Sequence, residues 1–209
     1  MSKLYLVPNS INETSENLLP DYIAREIKDV RTFFVEEPKS SRRLLKSLDA
    51  RFPLGDCRFF DLNEHSNAKQ VQEYAQILKE GNSAIISEAG CPCVADPGAD
   101  LVFLAHQNQI EIIPLVGPSS ILLALMASGL NGQNFAFNGY LPKDRQQRAQ
   151  KIRTLEERSY KEKQTQIFME APYRNQSILE DILAVAQDKT CLCIACDITG
   201  PHQIIKTMS

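Results

Sequence analysis

A short apolar run that ends abruptly in glycine and proline constrains this chain more than any other stretch. Ser83–Ser87 (SAIIS) is too brief for a helix and reads as a buried strand. The eleven residues Glu88–Gly98 then carry two glycines and two prolines, which is turn chemistry at a strand's carboxyl end. Asp96-Pro97 is expected to cap and open a helix, because Asp accepts orphan amide hydrogens and Pro fits the first turn. Leu101, Val102, Leu104 and Ala105 form the apolar side of that helix. Strand, loop and helix in this order are how an open α/β sheet builds a ligand crevice, and Gly90 and Gly98 permit close backbone approach. An ordinary βα turn has the same pattern.

The flanking sequence repeats the alternation. Leu4–Val7, Thr32–Val35, Arg58–Leu62 and Ile110–Pro114 read as strands. Between them, helices are expected around Leu18, Leu19, Ile23 and Ile27, from a Ser40 or Ser41 cap through Leu44, Leu45 and Leu48, and from Ser66 to Glu80. This pattern predicts a mostly parallel sheet covered on both faces. Leu115–Pro118 breaks it and marks a joint between two α/β domains, residues 1–114 and 115–209. In the second half, Ser119 or Ser120 caps an apolar helix (ILLALMAS) expected to be buried on most sides. Phe135–Tyr140 and Thr165–Met169 read as strands around a charged helix spanning 143–163. A further helix turns Ile178, Ile182 and Leu183 inward, and Cys191–Cys196 pairs with Gln203–Thr207 across Gly200-Pro201. The second domain is therefore mixed and partly antiparallel.

Charge and cysteine content narrow the function classes. The net charge is −3, so any nucleic-acid contact must come from a local patch. No apolar run reaches membrane-spanning length, and the N-terminus leads into a strand without a signal peptide. Six cysteines without an export signal indicate reduced thiols in a cytoplasm. Cys191 and Cys193 alternate as small hydrophobes in an apolar run, so no metal is expected. Basic residues gather at Lys39, Arg42 and Arg43, and again at Lys143, Arg145 and Arg148. The second group reads either as a solvated, ion-paired helix face or as a nucleic-acid contact.

Taken together these landmarks resemble the tetrapyrrole (corrin/porphyrin) methylase superfamily, and most nearly its branch that methylates a cytidine ribose 2′-hydroxyl in small-subunit ribosomal RNA. Ser87-Glu88-Ala89-Gly90-Cys91-Pro92 followed by Asp96-Pro97-Gly98 is similar to that branch's SDAGTP…SDPG. Pro114–Ser119 matches its PLPGPS, Asn138–Pro142 its GFLP, and Glu170–Arg174 its ESPHR. Several ordered, separately spaced matches are far more specific than one Gly-rich loop. The resemblance implies two α/β domains with S-adenosyl-L-methionine in the cleft between them, and a homodimer. It places Pro8, Asn9, Ser87, Glu88, Ala89, Gly90, Cys91, Pro92, Ser119 and Ser120 at the cofactor, covered by Met169, Glu170, Ala171 and Pro172. It implies rRNA or the small ribosomal subunit as partner, and for such a partner the clustered charge of Lys39, Arg42, Arg43, Lys143, Arg145 and Arg148 makes these residues the expected substrate contacts.

Methyl transfer from a sulfonium needs no metal; orientation and exclusion of water supply much of the catalysis. A ribose hydroxyl benefits from a base, and Glu36, Glu37 and Glu88 are candidates by loop position, each equally readable as a structural or solvated carboxylate. Departures from the branch are specific. Its TPIGN becomes Asn9-Ser10-Ile11-Asn12-Glu13, its EDTR becomes Glu36-Glu37-Pro38-Lys39, and its RELTK becomes Cys196-Asp197-Ile198-Thr199-Gly200. Two alternatives stay open: methylation of a tetrapyrrole or other small molecule, and a catalytically degenerate member that binds cofactor or acts as an interaction module.

Overall fold

Thr32–Val35 is buried at all four positions, and the reason is its place inside a five-stranded parallel sheet. The computed structural model describes residues 2–12, 18–63 and 65–209, so Glu13 of the first loop lies outside the described residues. In chain order the first part runs β1 (Lys3–Val7), α1 (Tyr22–Glu26), β2 (Thr32–Val35), α2 (Pro38–Leu48), β3 (Arg58–Asp61), α3 (Ala68–Ile77), β4 (Ser83–Ile86), α4 (Ala99–Gln107) and β5 (Glu111–Pro114). The strands pair in the order β3-β2-β4-β1-β5, every pair parallel.

Side-chain alternation along the strands sorts the core into two layers. Tyr5, Val7, Phe33, Val35, Ala84 and Ile86 face Ile23 and Ile27 beside α1 and Leu44 and Leu45 of α2. Leu4, Phe34 and Ile85 face Val71 and Tyr74 of α3 and Leu101 and Ala105 of α4. The β2–β3 register sets Phe33 beside Phe59 and Phe34 beside Phe60, with ring centroids 5.4 and 5.6 Å apart. Burying each such ring contributes roughly 1.5–3 kcal/mol.

Helix starts differ from the sequence reading for identifiable reasons. Helix α2 begins at Pro38, before Ser40 or Ser41, because Glu37 caps it: Oε1 accepts the Lys39 amide at 2.7 Å, and Pro occupies the first turn. Asn67 takes the corresponding part in α3, its Oδ1 accepting from Gln70 N at 3.0 Å. Helix α4 starts at Ala99, and Asp96 caps the turn before it, accepting from Gly98 N at 2.9 Å.

The chain divides into two compact units, Met1–Ser119 with Thr199–Pro201 and Ser120–Ile198 with His202–Ser209. The second contains α5 (Ser120–Ser128), β6 (Phe135–Tyr140), α6 (Arg145–Glu162), β7 (Thr165–Met169), α7 (Asn175–Val185), β8 (Leu192–Cys196) and β9 (Ile204–Met208). Strands β6 and β7 are parallel, and β8 and β9 form an antiparallel pair. Leu141, Ile152, Leu155 and Ile178 make the core, with Phe168, Ile182 and Val185 packed against it. Leu183 points outward at 73% exposure, because the inward stripe of α7 runs through Ile178, Ile182 and Val185. Helix α5 is not buried on most sides either: Leu122 and Met126 are 50% and 78% exposed.

Two arginines hold the turn after β6. Arg148 Nη1 donates to the carbonyls of Pro142 and Lys143, at 3.2 and 2.8 Å, and Arg174 Nη2 donates to those of Leu141 and Pro142, at 3.2 and 3.0 Å. Each guanidinium is backed by a carboxylate: Asp181 lies 2.5 Å from Arg148, and Glu170 lies 2.8 Å from Arg174 as an ion pair.

Candidate functional site

Where the strand order of a parallel sheet reverses, neighbouring strands send their connections to opposite faces and leave a gap beyond their carboxyl ends. Here β1 and β4 are neighbours, yet β1 connects onward toward β2 and β4 connects onward toward β5, on opposite sides. The loops that follow them are tied together. Asn9 and Gly90 form an isolated antiparallel bridge, with Asn9 N to Gly90 O at 2.9 Å and Gly90 N to Asn9 O at 3.2 Å. The buried Asn9 amide also donates to the carbonyls of Ser87 and Glu88, at 3.1 and 3.0 Å. Ser87 Oγ donates to Gly90 O at 2.8 Å, closing the β4 loop on itself.

A third loop, after β5, joins them. Leu115 N extends the β1 ladder by donating to Leu6 O at 3.0 Å, and Val116 N donates to the Tyr22 hydroxyl at 2.6 Å. A side chain at Gly117 would meet Pro8 Cβ at 2.2 Å, so only glycine lets the Pro8 ring lie against this backbone. The Cys91 thiol reaches Pro118 O at 3.4 Å. Gly90 adopts φ +70°, the left-handed region that favours glycine.

Of the residues expected at a cofactor, the fold thus brings Pro8, Asn9, Ser87–Pro92 and Ser119 to one end of the first unit's sheet. Pro8, Asn9, Ser87, Gly90 and Pro92 are buried, whereas Glu88 and Ala89 are exposed. Ser120 and Met169–Pro172 belong to the second unit, at the start of α5 and just after β7. There the Glu170 side chain has a task of its own, accepting from Leu141 N at 3.2 Å besides pairing with Arg174.

A polar recess of about 170 Å³ opens beside the tied loops. Among the described residues its polar lining includes Asn9, Ser10 and Asn12 after β1, Ser40, Arg43 and Ser47 of α2, and Glu88, with Ile11, Leu44 and Ala89 beside them. The serines and Asn12 were not anticipated from sequence. Their signal was helical spacing: Ser40, Arg43 and Ser47 stand at i, i+3 and i+7 on one face. The three candidate carboxylates separate here. Glu37 caps α2, Glu36 is half-buried after β2, and Glu88 borders the recess.

The six basic residues separate as well. Lys39, Arg42 and Arg43 are exposed on α2, with the Arg42 guanidinium 4.5 Å from the Phe59 ring centroid. Lys143 and Arg145 are exposed. Arg148, in contrast, is buried, its charge matched by Asp181 and its donors engaged by backbone carbonyls, so it presents nothing to a surface ligand. Burial alone would raise the Asp181 pKa; hydrogen bonds from Arg148 and Arg145 outweigh it and hold the carboxyl below its usual range. In the β4 loop, burial pushes the Cys91 thiol up and, with Asp96 nearby, the Cys93 thiol to about 12, so both stay protonated. The second unit also holds a larger, mainly apolar cavity of about 980 Å³, bordered by Ile152, Leu155, Phe168, Leu183 and Ile194; none of the expected site residues lines it.

Comparison with known proteins adds a family. The family model described as Tetrapyrrole (Corrin/Porphyrin) Methylases matches residues 16–209. A Thermotoga maritima protein named ribosomal RNA small subunit methyltransferase I is 32% identical over 207 residues, covering 97% of this chain and 86% of that protein. A Vibrio cholerae protein of the same name is 30% identical over 206 residues, covering 98% and 68%. Among solved structures, the methyltransferase CobJ superposes with a TM-score of 0.64 at 14% identity, covering 100% of this chain and 86% of that one. The cobalt precorrin-4 methyltransferase CbiF gives 0.60 at 13%, covering 99% and 85%. At such identities these two establish the fold alone.

Proposed function

The chain belongs to the tetrapyrrole (corrin/porphyrin) methylase family and is a methyltransferase, and on that footing we propose that it transfers a methyl group from S-adenosylmethionine to a ribose 2′-hydroxyl of small-subunit ribosomal RNA. The observation that carries the substrate is the likeness, at about 30% identity over nearly the whole of this chain, to proteins named for that RNA. The likeness to corrin enzymes supports the fold only.

The residues present suit the donor. Loops at the carboxyl ends of β1, β4 and β5 offer backbone groups, and Gly90 leaves room where a side chain would intrude. In this reading Pro8, Asn9, Ser87–Pro92 and Ser119 are the first unit's contacts to the cofactor. When bound, it supplies a sulfonium methyl whose carbon–sulfur electron pair returns to sulfur as oxygen takes the carbon. The chain's contribution is to align that oxygen and to exclude water. The exposed Lys39, Arg42, Arg43, Lys143 and Arg145 attract the RNA, and the apolar Leu122 and Met126 on α5 are covered in a homodimer. No helix among the described residues is long and apolar enough to cross a membrane; we place the protein with ribosomes in the cytoplasm.

The test is tritiated methyl transfer from S-adenosylmethionine to deproteinised rRNA, intact small subunits and precorrin-type macrocycles in parallel. Label in RNA or subunits is the expected result. Label only in the macrocycle overturns the substrate. Absence of calorimetric binding of both S-adenosylmethionine and S-adenosylhomocysteine at millimolar concentration overturns the cofactor.

A further inference from the structure

Resting on that cofactor reading, we propose that Tyr22 is a positioning residue of the S-adenosylmethionine site, its hydroxyl holding the loop after β5 in the shape the cofactor meets. The sequence poses the problem that Tyr22 answers. Pro114–Ser119 reads PLVGPS, and it departs from the similar branch's PLPGPS at Val116 alone. Proline at that position locks φ and has no N–H; valine releases φ and adds a donor. The added N–H needs a partner, and the released φ lets the empty loop sample more conformations. Both are met by one contact: Val116 N donates to the Tyr22 hydroxyl at 2.6 Å, across 94 residues of chain.

The hydroxyl is well placed to hold the loop. Tyr22 is the first residue of α1, and its ring packs against the core layer that contains Ile23 and Ile27. A phenol carried on so fixed a ring holds its oxygen in one place. The loop itself has little other grip at this point. Val116 is 68% exposed, so its side chain adds little packing. Leu115 N is bound to Leu6 O, which extends the sheet by one residue and no further. Beyond Val116 the Cys91 thiol, a weak donor, reaches Pro118 O at 3.4 Å. The peptide at Val116 is therefore where the loop leaves the sheet, and its direction sets the course of Gly117, Pro118 and Ser119. Tyr22 and residues 115–119 all belong to the first unit. A loop held in its binding shape has less freedom to lose when the cofactor arrives, so the hydroxyl acts on affinity and leaves the chemical step alone.

Calorimetric titration with S-adenosylmethionine and S-adenosylhomocysteine, beside steady-state methylation, tests this in five proteins. Tyr22→Phe removes the oxygen and keeps the ring. It is expected to raise Kd for both ligands about three- to tenfold, one hydrogen bond's worth, with kcat at saturating cofactor within twofold. Amide hydrogen exchange should quicken at Val116 and stay unchanged at Leu115. Val116→Pro removes the donor, so adding Tyr22→Phe to it should cost no further affinity. Ile27→Val, beside the same helix, trims the core by one methylene and lowers stability to a similar degree; its Kd should match the wild type. Wild-type Kd or wild-type Val116 exchange in Tyr22→Phe overturns the assignment while the cofactor reading stands. So does an equal loss of affinity on adding Tyr22→Phe to Val116→Pro, or a loss in Ile27→Val as large as that in Tyr22→Phe. A folded wild-type chain that binds neither ligand overturns both.

Discussion

Removing the Asp181 carboxylate tests whether the second unit depends on one buried ion pair. The Arg148 and Asp181 side chains are only 7% and 5% exposed, 2.5 Å apart, while Arg145, the second partner, is 75% exposed. In Asp181→Ala the Arg148 guanidinium keeps the carbonyls of Pro142 and Lys143 but stays buried without a counter-charge. Breaking such a pair costs about 3–5 kcal/mol, and loss of the exposed Arg145 contact adds at most about 1 kcal/mol. For a unit of about 90 residues, each kcal/mol shifts the midpoint by about 4–8 °C, so calorimetry should show its transition fall by at least about 12 °C. Arg148→Met with Asp181→Leu removes both charges and should recover most of that loss. The pH dependence has a definite sign. The Asp181 pKa is depressed in the folded state, so its stabilisation is full above the unfolded carboxylate value, about 3.9, and fades as pH falls through the folded value. Asp181→Ala should flatten stability in that acid window. A loss under about 1 kcal/mol, or an equal loss in the double variant, refutes the reasoning.

Other expectations concern the tied loops. Gly117→Ala places a methyl 2.2 Å from Pro8 Cβ and 2.3 Å from Pro8 Cγ, and the rigid ring cannot bend away, so urea unfolding should show a loss of about 1–3 kcal/mol. An unchanged midpoint would mean that Pro8 moves freely. Gly90→Val forces a branched side chain to φ +70°, with Cβ 3.4 Å from Pro118 O, and should cost about 1–2 kcal/mol while keeping a cooperative transition. It should also abolish S-adenosylmethionine binding by calorimetry; normal binding would put the cofactor elsewhere. Cys93, held protonated with a pKa of about 12, should resist iodoacetamide at pH 8, whereas the exposed Cys191 and Cys196 are modified. Peptide mass spectrometry showing Cys93 labelled as fast as Cys191 would contradict this.

The strands were legible because each is a short apolar run bounded by breakers. Thr32–Val35, Phe135–Tyr140 and Thr165–Met169 stand where their residues predict. Helix ends were less so, because competing caps lie within a few residues: Glu37-Pro38 outranks Ser40 through a carboxylate already aimed at an amide. Periodicity also overstated burial in α5 and α7, since an apolar side chain has no say in whether a neighbour arrives to cover it. At the candidate site the Gly/Pro loops were visible as composition, but their mutual ties were not. The Asn9–Gly90 bridge joins residues far apart in sequence, and nothing local in either predicts the other. Arg148 shows the converse limit. As one basic residue among several it looks like surface, and only its distant partner Asp181 reveals a buried structural role.

The position of β1 has a consequence for biosynthesis. It is the first of its sheet's strands in chain order, yet its neighbours are the last two: Leu4 pairs with Ser83, and Lys3 with Glu111. A nascent chain therefore carries β1 as an orphan until β4 and β5 are synthesised, while β2 and β3, adjacent in both sequence and sheet, are able to pair early. Such long-range pairing is slow and leaves apolar edges uncovered in the interval. A chain interrupted before Pro114 holds the whole of both tied loops but lacks the strand that completes β1's pairing, so the sheet end that carries those loops is finished only when β5 is made.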